Sequence, residues 1–358
     1  MKRLWHFMVR VDVVSLLILV AALLTIFGSL FPQIPASMES DLQRTTAWEQ
    51  ETSGRYGRLK VLFESLGVFR FYRSPIFILA LSLLGISTLF CILNRWKALW
   101  RKAFHREVRC SDAVFDVWDH ATTTIVESTA GFLPELQKKL LDHGFHSQMT
   151  SEKEIVHLRA DRYRLSPLAT LVSHLSVVLL LTGVLLSCAF SWREEITIGP
   201  NQPAILAGQN GTTLYYEGFT IERYPDGSVL SYQAKIRFAD KAGADVQNII
   251  RVNEPITYNG VSVNLQGFSQ AESGETLNLL VVHDPGYAVV ITAAFLLFLG
   301  MTVSFNFPRG RLFARAKPDG IVRLAAQVDR RTHPFDREFA TLISEIKTVA
   351  AFSKGDQP

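Results

Sequence analysis

One histidine falls where an imidazole is costly. His174 lies within an apolar run, Leu168 to Phe190, LATLVSHLSVVLLLTGVLLSCAF. At about 1.5 Å per residue it would sit about 10 Å in from one end, roughly a third of the way through a bilayer's hydrocarbon. An ionisable residue at that depth usually faces other helices, a cavity or a cofactor. Four roles are open to it: a neutral ring bonded to a neighbouring helix or to Thr170 one turn back, a ligand to haem iron, a proton relay, or an ion site. A neutral imidazole is a good axial ligand for haem iron. The apolar runs contain no other histidine, so a second axial histidine would come from another subunit.

The other reactive side chains point to no site of their own. Cys91, Cys110 and Cys188 are too far apart in sequence for a CxxC, which excludes a haem-attachment motif, a thioredoxin-like redox pair and a zinc ribbon. Cys91 and Cys188 are expected at opposite membrane faces, each as a small hydrophobe. His283 stands just before DPGY and is assigned no role. No Walker loop, GxSxG, HExxH or GxGxxG in context is present. A row of intramembrane charges, such as an ion transporter needs, is absent too.

The elements that must hold His174 are read from hydropathy. The chain has 358 residues, 48% hydrophobic, with formal charge +4. A mean hydropathy of +0.17, concentrated in long charge-free runs, excludes a purely soluble enzyme, a disordered tail and a fibrous protein. No basic block is dense enough to suggest nucleic acid as a partner. Four runs are long and apolar enough to cross a bilayer as helices: Val13–Phe31, Ile76–Leu93, Leu168–Phe190 and Ala288–Phe305. The first is read as a retained anchor rather than a cleaved signal, because no small-residue cleavage pattern follows it. Placing the N-terminus inside puts 25 Lys and Arg on the inner side and 12 on the outer. The positive-inside rule then sets both termini in the cytoplasm and residues 191–287 outside.

The segments between the runs have patterns of their own. In the outer loop 32–75, LKVLFESLGVFRF (59–71) reads either as a helix in the membrane interface or as a re-entry linker. The inner segment 94–167 reads as a small α+β insert: TTTIVES and IVHLRADRY as strands, LPELQKKLLDHG as a helix closed by Gly144. Residues 307–358 read as a basic tail. Residues 191–287 carry strand patterns at EEITIG, TTLYYEGFTIERY, SVLSYQAKIRF, QNIIRVN, GVSVNLQGF and TLNLLVV, punctuated by PDG, AGA, YNG and ESG. The expected fold is an integral membrane protein of four transmembrane helices, with a small cytoplasmic α+β unit and an extracytoplasmic β-rich, sandwich-like domain.

Five motifs in order resemble the ResB (CcsB) family of cytochrome c biogenesis proteins. They are GSLFPQIP after the first run, YRSPIFILALSLLGISTLFCILNRW across the second, SHLSVVLLLTG in the third, RVNEPITYNGVSVNLQGF in the β-rich segment, and DPGYAVVITAAFLLFLGMTVSF at the fourth. The resemblance covers most of the chain. One departure is Asn264 and Leu265, which replace a usual tyrosine-containing segment before Gln266, so the sandwich edge is expected to differ. The chain is also shorter than many members.

The resemblance implies a subunit, non-catalytic or co-catalytic, of a System II holocytochrome c synthase. It implies haem b, shared transiently with a ResC/CcsA-like tryptophan-rich membrane subunit, and apocytochrome c as the acceptor. A thioredoxin-like thiol reductant is a further expected partner, and the bacterial cytoplasmic membrane the expected location. His174 falls on the family's third-span histidine and would be one axial ligand. With six Trp and no W-x-W-D-like stretch here, the partner is expected to be a separate polypeptide. The alternative is a structural membrane scaffold that does not ligate haem.

Overall fold

A computed structural model describes the chain except residues 1, 36–37, 39–41, 106, 118–119, 127–128, 153, 201, 207–211, 240–244, 272–273, 330–332 and 353–358. The helices are α1 Lys2–Met8, α2 Val11–Ser29, α3 Leu42–Gly54, α4 Lys60–Ser65, α5 Pro75–Phe104, α6 Ala113–Val117, α7 Thr129–Asp142, α8 Ser166–Phe190, α9 Tyr287–Asn306 and α10 His333–Phe352. The strands are β1 His120–Ile125, β2 His146–Glu152, β3 Ile155–Arg162, β4 Trp192–Ile198, β5 Pro203–Ile205, β6 Thr213–Arg223, β7 Val229–Ala239, β8 Asp245–Arg251, β9 Ile256–Tyr258, β10 Val261–Ala271, β11 Gly274–His283, β12 Gly310–Ala316 and β13 Ile321–Val328. Among the described residues α2, α5, α8 and α9 are long and apolar enough to cross a membrane. The chain divides into two compact units, Met1–Phe90 with Val177–Ala293 and Cys91–Ser176 with Ala294–Pro358.

In the first unit the sandwich has two four-stranded antiparallel sheets, β4-β11-β10-β9 and β5-β6-β7-β8. Side chains alternate along a strand, so one face of each sheet can be wholly apolar. Ala234, Ile236 and Phe238 of β7 meet Val261, Val263 and Leu265 of β10 and Leu277, Leu279 and Val281 of β11 in one buried cluster. Glycine after a glutamate and a glutamine marks two bulges, where register shifts between Tyr216 and Gly218 and between Leu265 and Gly267. At the two positions that depart from the family pattern, β10 has run past β9, which pairs only with Val261 to Val263, and is bonded to β11. Leu265 fills the core, and the Asn264 amide donates to the Leu280 carbonyl at 3.3 Å. The AGA turn and the first two residues of ESG lie outside the described residues.

The loop after α2 is pinned by Gln33. Its amide nitrogen donates to the carbonyls of Gly28 (3.0 Å), Phe31 (3.1 Å) and Val68 (3.1 Å), and its amide oxygen accepts from the Phe71 backbone N–H at 3.0 Å. The single interfacial helix weighed for 59–71 is corrected: α4 ends and a separate 3₁₀ segment, Val68–Arg73, begins after Gly67, whose φ of +63° breaks the helix. Val68, Phe69 and Phe71 are buried, whereas Leu59, Val61, Leu62 and Leu66 are exposed.

The second unit contains a five-stranded sheet, β1-β13-β12-β3-β2. Its apolar face is covered by α7 through Phe132, Leu136 and Leu140 and by α10 through Phe339, Leu342 and Ile346. The unit is therefore larger than the 94–167 insert. The segment read as a basic tail supplies two of the three inner strands and a covering helix, because neither part alone can bury both ends of its apolar face.

Candidate functional site

His174 sits on α8 eight residues after Ser166, about 12 Å along the helix axis. The face of α8 that meets α9 near it is built from small residues. A Cβ on Gly300 would lie 2.6 Å from Ser173 Oγ and 3.0 Å from the Ala169 carbonyl oxygen, so only glycine permits the two backbones to come this close. One turn away, Thr170 Oγ1 lies 3.2 Å from Ser304 Oγ, and Ser176 is buried with its hydroxyl donating to the Val172 carbonyl at 2.7 Å. Successive residues are turned about 100° around a helix. Fixing Ser173 against Gly300 therefore turns His174 out of that contact.

The imidazole is exposed on the surface of the unit, beside the exposed Val172 and Leu175. No hydrogen bond to it occurs among the described residues, and Thr170, the partner weighed from the sequence, is engaged with Ser304 instead. Arg95 on α5 is near enough for its charge to be felt at the ring. Among the described residues no group of three or more His, Cys, Asp or Glu could hold a metal ion. Among the described residues no hydrogen bond uses the lone pair of the His174 ring.

The other motif residues make local contacts. Asp284 Oδ1 accepts from the backbone N–H of Gly286 (3.0 Å) and Tyr287 (3.1 Å), capping α9, and from the Ser187 hydroxyl at 2.6 Å. Ser74 Oγ accepts from the Phe77 N–H at 3.3 Å, with Pro75 in the first turn of α5. His283 Nδ1 lies 3.0 Å from the Gly260 carbonyl oxygen, and its ring stacks on Trp192 at 5.7 Å between centroids. Among the described residues Cys91, Cys110 and Cys188 form no disulfide.

Sequence reasoning missed a buried ionic cluster in the second unit. Arg159 forms a fork to Asp161, Nε to Oδ2 at 2.8 Å and Nη2 to Oδ1 at 3.1 Å, and Arg309 Nη2 reaches Asp161 Oδ1 at 2.8 Å. Burial alone would raise the Asp161 carboxyl, but the two guanidiniums outweigh it and hold it below the ordinary carboxylate range. The only sequence signal was charge at alternate positions of β3, Arg159 and Asp161, which face the same side of a strand.

The model of the ResB-like family matches residues 12–278 and 273–340. The chain belongs to the ResB-like family. It is 26% identical over 280 residues to the cytochrome c biogenesis protein CcsB of Synechococcus sp. (strain CC9311), covering 76% of this chain and 61% of that protein. It is 24% identical over 298 residues to the cytochrome c biogenesis protein ResB of Bacillus subtilis (strain 168), covering 73% of this chain and 52% of that one. The chain thus spans between half and two thirds of the length of these two relatives. A solved structure, Cytochrome c Heme Lyase CcmF, overlaps with a TM-score of 0.34 at 12% identity over 71% of this chain and 44% of that chain, too little for any statement of shared fold.

Proposed function

We propose that this ResB-like chain is the haem-handling subunit of a System II cytochrome c synthetase, acting with a ResC/CcsA-like membrane subunit on apocytochrome c. The observation that carries this reading is the His174 imidazole, exposed on an apolar helix and without a hydrogen bond among the described residues. An ionisable ring in that setting is costly unless something ligates it. Haem b, when bound, supplies an iron that takes two axial nitrogen donors. His174 supplies one, and the partner subunit supplies the other. Arg95, whose charge reaches the same ring, would offer a cation to a haem propionate. Positive-inside counting places both termini and the five-stranded sheet in the cytoplasm and the sandwich outside, in the bacterial cytoplasmic membrane. There the sandwich receives the acceptor protein, with a thioredoxin-like reductant keeping its thiols free.

Visible absorption spectra of the purified complex test the ligand role. His174→Ala removes the haem spectrum while the partner still copurifies, and added imidazole restores part of it. His174→Gln leaves assembly normal and haem lost. Full haem content and normal cytochrome c maturation in His174→Ala would overturn the assignment. Under the scaffold alternative His174→Gln would be silent in every readout.

A further inference from the structure

We infer that the second unit holds a binding site for the phosphate headgroup of an anionic phospholipid, formed where α5 and α9 end beside the five-stranded sheet. The cavity has a volume of about 360 Å³ and is lined by Arg101, Lys102, Arg159, Arg309 and Arg311 against one carboxylate, Glu107. This inference does not rest on the haem reading.

Charge accounting carries it. Arg159 and Arg309 are buried, the latter only 2% exposed, and they share a single carboxylate, Asp161. Arg311 is paired with Asp329 at 3.1 Å. Glu107 is drawn to the exposed His105, Nε2 to Oε1 at 3.4 Å. Among the described residues Arg159 and Arg309 are thus two buried cations on one carboxylate, and Arg101 and Lys102 add two exposed ones. Leaving a buried charge unbalanced is strongly unfavourable. Arg309 adds a second sign. Its Nη1 donates to the Lys102 carbonyl at 2.6 Å and its Nη2 to Asp161, yet its Nε, buried, has no hydrogen-bond partner among the described residues. A tetrahedral phosphate supplies both the charge and the acceptor oxygens.

Position selects the lipid as the source of that phosphate. Arg101 follows the apolar run of α5, which ends at Leu93, by eight residues, about 12 Å of helix. Arg309 follows the end of α9 by three residues. Trp96 and Trp100 stack at 5.9 Å between centroids on the same stretch of α5. Paired tryptophans at a span's end mark headgroup level, and basic pockets there bind anionic lipid.

The full chain, purified in neutral detergent, would be titrated with phosphatidylglycerol and with phosphatidylcholine, retained lipid being counted by native mass spectrometry. Phosphatidylglycerol is expected to be retained over phosphatidylcholine. Arg101→Gln/Lys102→Gln removes two exposed charges that no ion pair among the described residues uses, and is expected to weaken retention about thirtyfold. Lys97→Gln, on the same helix but outside the cavity, leaves it within about threefold. Equal retention of the two lipids, or an unchanged double variant, would overturn the site. Inorganic phosphate or glycerol 3-phosphate binding as tightly as phosphatidylglycerol would overturn the lipid as its source.

Discussion

Among the described residues every buried Arg, Asp and His belongs to the unit of the five-stranded sheet, whereas the buried cluster of the sandwich is built from aliphatic and aromatic side chains alone. The connectivities differ as well. Sandwich strands β5 to β8 and β9 to β11 pair with their chain neighbours. In the other sheet β12 and β13 insert between β1 and β3, although residues 163–309 separate β3 from β12. A sheet closed by local hairpins needs only apolar alternation to hold its register. A sheet assembled from distant segments must close a long loop first, and its ionic cluster ties those segments together. Arg309, just before β12, meets Asp161 on β3, and Arg162 on β3 pairs with Glu338 on α10.

Two substitutions should separate the two cores. Asp161→Ala leaves a pair of buried guanidiniums without their carboxylate and is expected to cost about 3–5 kcal/mol. Phe238→Ala opens a cavity in the sandwich at a similar cost of about 3–5 kcal/mol. Limited proteolysis, mapped by mass spectrometry, reads which part loosens. Asp161→Ala should expose the sheet of the second unit and leave the sandwich protected, and Phe238→Ala should do the reverse. If Asp161→Ala loosened the sandwich equally, the ionic cluster would not be what distinguishes the two.

A smaller effect compares the glycine contacts of α8 and α9 in each unit. A Cβ on Gly286 would collide with the Gly183 carbonyl oxygen, which is backbone and cannot swing aside. Its counterpart on Gly300 meets Ser173 Oγ first, a group that rotates, and the Ala169 carbonyl only at 3.0 Å. Overpacking costs about 1–3 kcal/mol. Gly286→Ala should fall at the upper end and Gly300→Ala at the lower, read as thermal midpoints in detergent. Adding Ser173→Ala should recover most of the Gly300→Ala loss. Failure of that rescue would mean that backbone, the Ala169 carbonyl oxygen and the Ser173 nitrogen, each 3.0 Å away, sets the spacing.

Much of the fold was legible because hydropathy and alternation are local signals. The four helices begin and end within a few residues of the apolar runs, except that α5 continues to Phe104. Its last turns carry Lys and Arg on good helix-forming sequence rather than a stop signal. The six strand patterns of the sandwich each became a strand, while β5 and β9, three residues each, were too short to leave a pattern. The joint sheet was not legible, because no local property of residues 310–328 says that they pair with residues 120–125 and 155–162. Nor was the inward turn of Arg309, since a charge run ordinarily reads as solvated. For the candidate site, residue type and depth gave His174, but not that Ser173 and Thr170 take up the contact with α9 and turn the ring outward.

The smallest expected effect is a difference in acid sensitivity. Asp161 is held low by Arg159 and Arg309 against the cost of its burial, and Glu338 by its hydrogen bonds to Arg162. A carboxylate with a depressed folded value adds stability above its unfolded value, near pH 4, and loses it as pH falls through the folded one. His157, on β3, acts earlier. Burial lowers it first, and the charges of Arg315 and Arg109 lower it further. A histidine held neutral in the fold must give up stability as pH drops below about 6.5, because the unfolded chain takes up the proton more readily. The second unit should therefore weaken in two stages on acidification, a shallow one below about pH 6.5 and a steeper one below about pH 4. Among the described residues of the sandwich the one carboxylate held low, Asp226 by its bond to Ser228, lies fully exposed in a turn and should add no comparable stage. Hydrogen exchange at stepped pH resolves the units separately. His157→Gln should abolish the shallow stage and keep the steep one. Retention of the shallow stage in that variant would assign it to a group other than His157.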